Sequence, residues 1–405
     1  MIYRRTLKPQ LEAAMRHFPV VLLTGARQVG KSTLAQQQLS NYITLDDINV
    51  YSALQADAQT FIEKLKKPVA IDEIQKLPKL LLPIKLSVDR NRKNGSFLLT
   101  GSANIMASKQ VTDTLAGRIA LLELMPLSYQ EISGSNINLL DSLFNADLTS
   151  FTSKVHSADK IISKVICGGY PEIQKIDNAR GRYQWFSSYI QTYIQRDVRD
   201  LSDLRHIDKF LKMYRLLASR SGNLLNKADI ARDAAINIKT FDNYLELLKL
   251  VYQVELLSAY STNIDKRLVK ASKLFFTDSG LLAHLLNINS EKEFYASPYQ
   301  GGLFETYIYS ELLKTAKYDE KQARLYYLRT ADNQEVDFII ERGSEIVALE
   351  VKLAGTVHKA DFRHLAMLQA KVDNMRAGYI IYLGDRVLPF GRGLYAIPAG
   401  SFCGN

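Results

Sequence analysis

Cysteine is nearly absent. Cys167 and Cys403 are the two in 405 residues, too few for a disulfide framework and without the paired spacing of a zinc site. That usage fits a reducing, cytoplasmic compartment. Long apolar runs are also missing. The longest are short pieces such as residues 19–23, far below the roughly 20 residues that span a bilayer, so a soluble chain with no membrane partner is expected. Internal repeats and low-complexity tracts are not found, which argues against solenoid and fibrous architectures.

What is present is an ordinary globular balance, 47% hydrophobic and 23% charged, with a net charge of +10. The length suggests two or three domains. The positive charge is compatible with a polyanion such as DNA and equally with plain solubility. The opening MIYRRTLKPQLEAAMRHF is basic and mildly amphipathic, as a transit peptide is. An apolar strand begins at Pro19, however, so the opening reads as a surface helix.

From residue 19 to about 125, apolar runs (PVVLLTG, PVAIDE, SFLLTGS) alternate with helix-like stretches, which predicts parallel strands with crossover helices. Polar text around 130–160 marks a boundary. Helical periodicity follows to about 260, and strands return after 300 in LYYLRT, VDFIIE, IVALEVK and GYIIYL. The expected organisation is α/β and multidomain, with units at 1–150, 151–290 and 291–405.

Gly25, Ala26, Arg27, Gln28, Val29, Gly30, Lys31 and Ser32 match G-x-x-x-x-G-K-[ST] directly after an apolar strand and at a helix start, with Thr33 next in line. Glycines let backbone N–H groups curl around phosphates, Lys31 reaches the β/γ-phosphates of ATP, and Ser32 ligates Mg²⁺. About 40 residues on, the strand run Val69-Ala70-Ile71 ends in Asp72 and Glu73. Asp72 is expected to hold magnesium, and Glu73, on the opposite side of an extended chain, to polarise the attacking water. Thr100, Ser102 and Asn104 end the next strand, where open sheets bind ligands; a γ-phosphate sensor and a simple Gly-Ser turn are equal readings. Arg118 on a tight turn reads either as a finger for a neighbour's γ-phosphate, which implies a homo-oligomer, or as a surface ion-pair partner.

Tyr3-Arg4-Arg5, TGARQVGKST, TLDD, AIDEIQ, LLTGSAN, LAGRI, PLSYQE, GGYPE and YIQRDV together resemble bacterial and archaeal AAA-family ATPases whose C-terminal half is a domain of unknown function. The resemblance covers nearly the whole chain. Ala26 and Ser32 stand where Pro and Thr are commoner, and both are compatible with nucleotide binding.

Residues 225–233 and a helix from Lys239, with apolar Phe241, Leu245 and Leu248, fit helix-turn-helix. VELLSAY and LVKASKLFFTD supply strands for a wing, as the resemblance also implies. Lys239, Thr240, Asn243 and Lys249 are left for solvent or a DNA groove; Asp242 and Glu246 favour a protein contact. The alternating charges of Arg196, Asp197, Arg199, Asp200, Asp203 and Arg205 read as a solvated face or an inter-subunit contact.

In VDFIIERGSEIVALEVK, a hairpin turning at Gly343-Ser344 sets Arg342 opposite Glu345, Phe338 opposite Leu349 and Asp337 opposite Glu350, with Lys352 on the same face. Opposed carboxylates invite Mg²⁺ or Mn²⁺. The pattern is similar to the PD-(D/E)XK nuclease superfamily, a restriction-endonuclease-like α/β fold, in which Glu305 matches the upstream acid and Lys352 helps to position water. Lys352 neutralising the pair by itself is the alternative. The main expectation is an ATP-hydrolysing protein that binds or remodels DNA, beside a regulatory switch that grips protein partners and an ATP-gated nuclease.

Overall fold

The computed structural model describes residues 2–101, 115–135, 137–151, 157–194, 198, 207–261, 271–330 and 334–402. Ser102, Asn104, Cys403 and the charge run at 196–205, apart from Val198, lie outside them.

The first sheet holds β1 (Val20–Thr24), β2 (Tyr42–Thr44), β3 (Val69–Asp72), β4 (Phe97–Thr100) and β5 (Ile119–Glu123), in the order β2-β3-β4-β1-β5. All its pairings are parallel. Every β1 residue is buried, and alternate side chains serve different cores. Val20 and Leu22 pack with Ile71, Ile84 and Leu99 on one face, while Val21 and Leu23 pack with Leu34, Ala70 and Leu98 on the other. Two-faced burial is why these strands read as unbroken apolar runs. The crossovers include helices Lys31–Gln38, Ile48–Ala56 and Leu81–Arg90. The second of these is capped by the Asp47 carboxylate, which accepts from the Asn49 amide at 2.8 Å.

The opening segment forms the helix Lys8–His17 with Leu11 buried. After the first sheet, helices Ile207–Ala218, Lys227–Asp233 and Ile238–Leu250 precede an antiparallel pair, β6 (Val254–Leu257) and β7 (Lys273–Phe276), and Leu224 bridges to Lys273 beside it. Asn226 and Asn237 cap the second and third of these helices.

Helix Gln300–Lys317 leads into a six-stranded sheet of β8 (Arg324–Arg329), β9 (Glu335–Arg342), β10 (Glu345–Lys352), β11 (Met375–Tyr382), β12 (Leu388–Gly391) and β13 (Leu394–Pro398), ordered β12-β13-β11-β10-β9-β8. The β9–β10 register follows the expectation: Arg342 pairs with Glu345 and Phe338 with Leu349. Gly343 takes a φ of 64° at the turn, a conformation that disfavours a side chain.

One continuous set of buried apolar side chains runs from Leu7 and Val29 through Ile162, Phe241 and Phe304 to Ile397, so the sheets and helices share a core. Among the described residues, no helix is long and apolar enough to cross a membrane.

Candidate functional site

The turn after β1 is built for anion contact. Gly25, Gln28 and Gly30 have φ of 134°, 65° and 97°, which curls the chain so that successive amides face one side. A Cβ at Gly25 would lie 2.2 Å from the Leu124 carbonyl oxygen, so the position admits only glycine. Helix Lys31–Gln38 starts here with no side chain capping it, which leaves its first amides and the positive end of its dipole for a ligand. The Lys31 ammonium is buried and donates to the carbonyls of Gly25 at 3.0 Å and Ala26 at 2.7 Å. A cavity of about 910 Å³ opens over this turn.

The carboxylate end of β3 faces the same turn. Asp72 accepts from Ser32 Oγ at 3.1 Å, from the Tyr42 hydroxyl at 2.6 Å and from Thr100 Oγ1. Burial, then Asp72, pushes the Tyr42 hydroxyl well up, so Tyr42 stays a donor. Glu73 lines the cavity but is not extended as expected. The strand ends at Asp72, and Glu73 adopts a left-handed φ of 60° before the short turn Ile74–Lys76. Burial raises its carboxyl above the usual range, against the lowering influence of Arg27, whose Nη1 lies 4.0 Å away.

Residues 17–133 match the AAA domain family. That match supports a P-loop, nucleotide-hydrolysing ATPase. Two families of unknown function match further along, DUF8612 over residues 158–292 and DUF4143 over 300–402. An uncharacterized protein of Mycobacterium tuberculosis, Rv2008c, is 27% identical over 98% of this chain and 84% of its own length. Another from Methanocaldococcus jannaschii, MJ1544, is 24% identical over 90% and 82%. Among solved structures, a DNA replication initiation factor aligns at TM-score 0.28 and 14% identity over 60% of this chain and 85% of that one. Thermococcus gammatolerans McrB AAA+ hexamers with bound McrC align at 0.21 and 12% over 69% and 74%.

Thr100 and Arg118 are not among the residues lining the cavity over the phosphate turn. Thr100 is fully buried, and its hydroxyl donates to the Asp72 carboxylate and accepts from the Glu73 amide at 3.3 Å. Arg118 lies at the amino end of β5, a five-residue strand away from the phosphate turn. It grips Asp89 through Nε at 2.6 Å and Nη2 at 3.1 Å.

Arg5 was legible as part of a motif but carried no role. Its guanidinium is buried and donates to the carbonyls of Val29 at 2.7 Å and Met125 at 2.6 Å and to Glu131 at 3.2 Å. It thereby fixes the back of the phosphate turn.

The second cluster is in the C-terminal sheet. The β9–β10 pairing ends at Phe338 and Leu349, one step short of the expected Asp337–Glu350 pair, and the Asp337 carboxylate accepts from the Val351 amide at 2.8 Å. The cation among these acids is Lys273 of β7, 3% exposed, whose Nζ lies 3.0 Å from Glu305, 2.5 Å from Glu335 and 3.9 Å from Asp337. Burial opposes its charge, but Glu305, Asp337 and Glu335 outweigh that and raise its pKa. Burial and then Asp337 push the Glu305 carboxyl up, against the lowering influence of Lys273, and the same two causes push Glu350 up to about 8. Lys352 stands 3.9 Å from Glu350. Among the described residues, no group of three or more His, Cys, Asp or Glu has a metal-holding arrangement. A lone lysine in the apolar run KLFF was the available signal for this ion cluster.

Proposed function

We propose that this chain is a magnesium-dependent ATP hydrolase that transmits nucleotide state to its helical and C-terminal parts. The observation that carries the reading is Glu73 at the cavity wall beside Asp72, which Ser32, Tyr42 and Thr100 hold in place. The donor set fits a hard cation: Ser32 and Asp72 would hold magnesium, which neutralises phosphate charge when bound. Lys31 would leave the two carbonyls for the β/γ-phosphates. Glu73 accepts the proton of a water whose oxygen bonds to the γ-phosphorus as the bond to the β-phosphate oxygen breaks. Transmission draws on Pro171, Glu172 and Lys175, which line the cavity from outside the AAA domain.

Phosphate release and nucleotide titration test this. Glu73→Gln is expected to bind ATP and to lose about a hundredfold or more in turnover, whereas Lys31→Ala loses affinity. Wild-type turnover in Glu73→Gln removes the base assignment.

A DNA-binding form of the same reading rests on the order of three helices followed by the antiparallel β6–β7 pair, the order a winged helix would have. Lys227 pairs with Asp242 at 2.8 Å and Lys249 with Glu246 at 2.9 Å. These pairs hold that surface closer to neutral and favour a protein partner. Duplex binding at low salt that collapses by about a thousandfold on moderate salt establishes the DNA form, and no binding at low salt leaves the switch. The nuclease form draws no support from Glu305 and Asp337, because Lys273 already supplies positive charge beside them, and Lys352 stands next to Glu350.

A further inference from the structure

Behind the nucleotide cavity lies a second cavity of about 400 Å³, within the range of small-molecule sites and at the kind of junction where they concentrate. Its walls come from well-separated stretches of the chain: Leu127, Tyr129 and Ile132 follow the first sheet, Lys160 and Lys164 belong to helix Ala158–Cys167, and Tyr307 belongs to helix Gln300–Lys317.

The lining has an apolar side and a basic side. Glu311 and Lys314 cancel each other at 2.8 Å, and both are spent on structure: Lys314 donates to the Leu127 carbonyl at 3.0 Å, and Glu311 accepts from the Tyr129 amide at 2.8 Å. Lys160 and Lys164 form the basic side of the lining. The Lys164 ammonium lies 3.5 Å over the Tyr129 ring, an attraction weaker than a charge-assisted bond to an oxyanion.

Leu127 lines this cavity and the nucleotide cavity alike. Its amide donates to the Gly169 carbonyl at 2.7 Å, and a Cβ at Gly169 would lie 2.2 Å from the Leu127 carbonyl oxygen. Two chain segments are thus in backbone contact as a thin shared wall. From the second of them, Gly168 and Gln174 face this cavity and Pro171, Glu172 and Lys175 face the other.

We propose that the second cavity is an effector site for a small organic anion with an apolar body. The anionic group meets Lys164 and Lys160, and the body covers Leu127, Ile132 and Tyr307. Occupancy bears on nucleotide affinity through the shared wall. The binding claim stands apart from the proposed ATPase function, and only the coupling rests on it.

The probe is 8-anilinonaphthalene-1-sulfonate, titrated by fluorescence into the full chain. Saturable one-to-one binding is expected, weakened roughly tenfold by Lys164→Met and removed by Ser163→Trp, which fills the cavity. The thermal transition of each variant is recorded first, and Lys164→Met decides if the bulkier change does not fold. Lys31→Ala, silent for nucleotide, retains the probe. In the wild-type chain, saturating probe shifts ADP affinity by about fivefold or more, and ADP shifts probe affinity by the same factor. Unchanged probe affinity in Lys164→Met, or no saturable binding to the wild-type chain, would overturn the site. Intact binding with ADP affinity unmoved would overturn the coupling.

Discussion

At the scale of single residues, the phosphate turn owes its shape to a side chain far away in sequence. Arg5 reaches Val29 and Met125, and its charge is balanced by Glu131 at 3.2 Å, with both side chains at most 5% exposed. Glu131 also accepts from the Thr6 amide at 2.6 Å and the Ser128 amide at 3.0 Å. Removing one member of a buried pair strands the other charge, so Arg5→Ala is expected to cost about 3–5 kcal/mol in denaturant unfolding and to weaken ATP binding. Replacing Glu131 as well should lose less than the sum of the two single changes. An Arg5→Ala chain with wild-type stability and affinity would make the guanidinium a bystander. The G-x-x-x-x-G-K-[ST] run and the Asp72-Glu73 pair were legible because each is local, with spacing that carries its own chemistry. The roles of Arg5, Tyr42 and Lys273 were not, since their partners lie up to 126 residues off and only the fold brings them together.

At the scale of elements, the strands were the more legible. A period of two with a Gly-Ser turn fixes both register and facing, and the β9–β10 pairing follows the count from Gly343 outward. What counting could not supply was the neighbour across the face, here β7. Helix Ser279–Leu285 illustrates the same limit. Its His284 stacks on Phe186 with ring centroids 5.7 Å apart and lies 3.4 Å from Ser187 Oγ, contacts invisible in an isolated SGLLAHL. Burial, then Arg215, lowers this imidazole from 6.5 to about 4. As pH falls below 6.5 the unfolded chain takes up the proton first, so stability is lost progressively down to about pH 4. The loss assigned to this part-buried ring is about 1–2 kcal/mol. His284→Phe should flatten that limb of the stability profile; an unchanged acid limb would place the loss with other groups.

At the scale of the whole molecule, the shared core predicts that the chain melts as one unit. A ligand that binds the native state alone at a hundred times its Kd adds about 2.7 kcal/mol, so ADP should raise the midpoint of a single transition in calorimetry. Two separate transitions, with only one responding to ADP, would show that the AAA domain is thermodynamically independent. Subunit exchange bears on Arg118. If the Asp89 pair holds it as a strut, mixing Arg118→Ala with Glu73→Gln yields no more turnover than the two separately, and restored activity would instead reveal a finger acting across a boundary. Lys273 has a last consequence, for dissection of the gene. A fragment cut at the outset of the DUF4143 match keeps Glu305, Glu335 and Asp337 but discards the ammonium that reconciles them. Expressed by itself, such a piece starts life with its own acids in dispute, and its behaviour would report the amputation before it reported any activity.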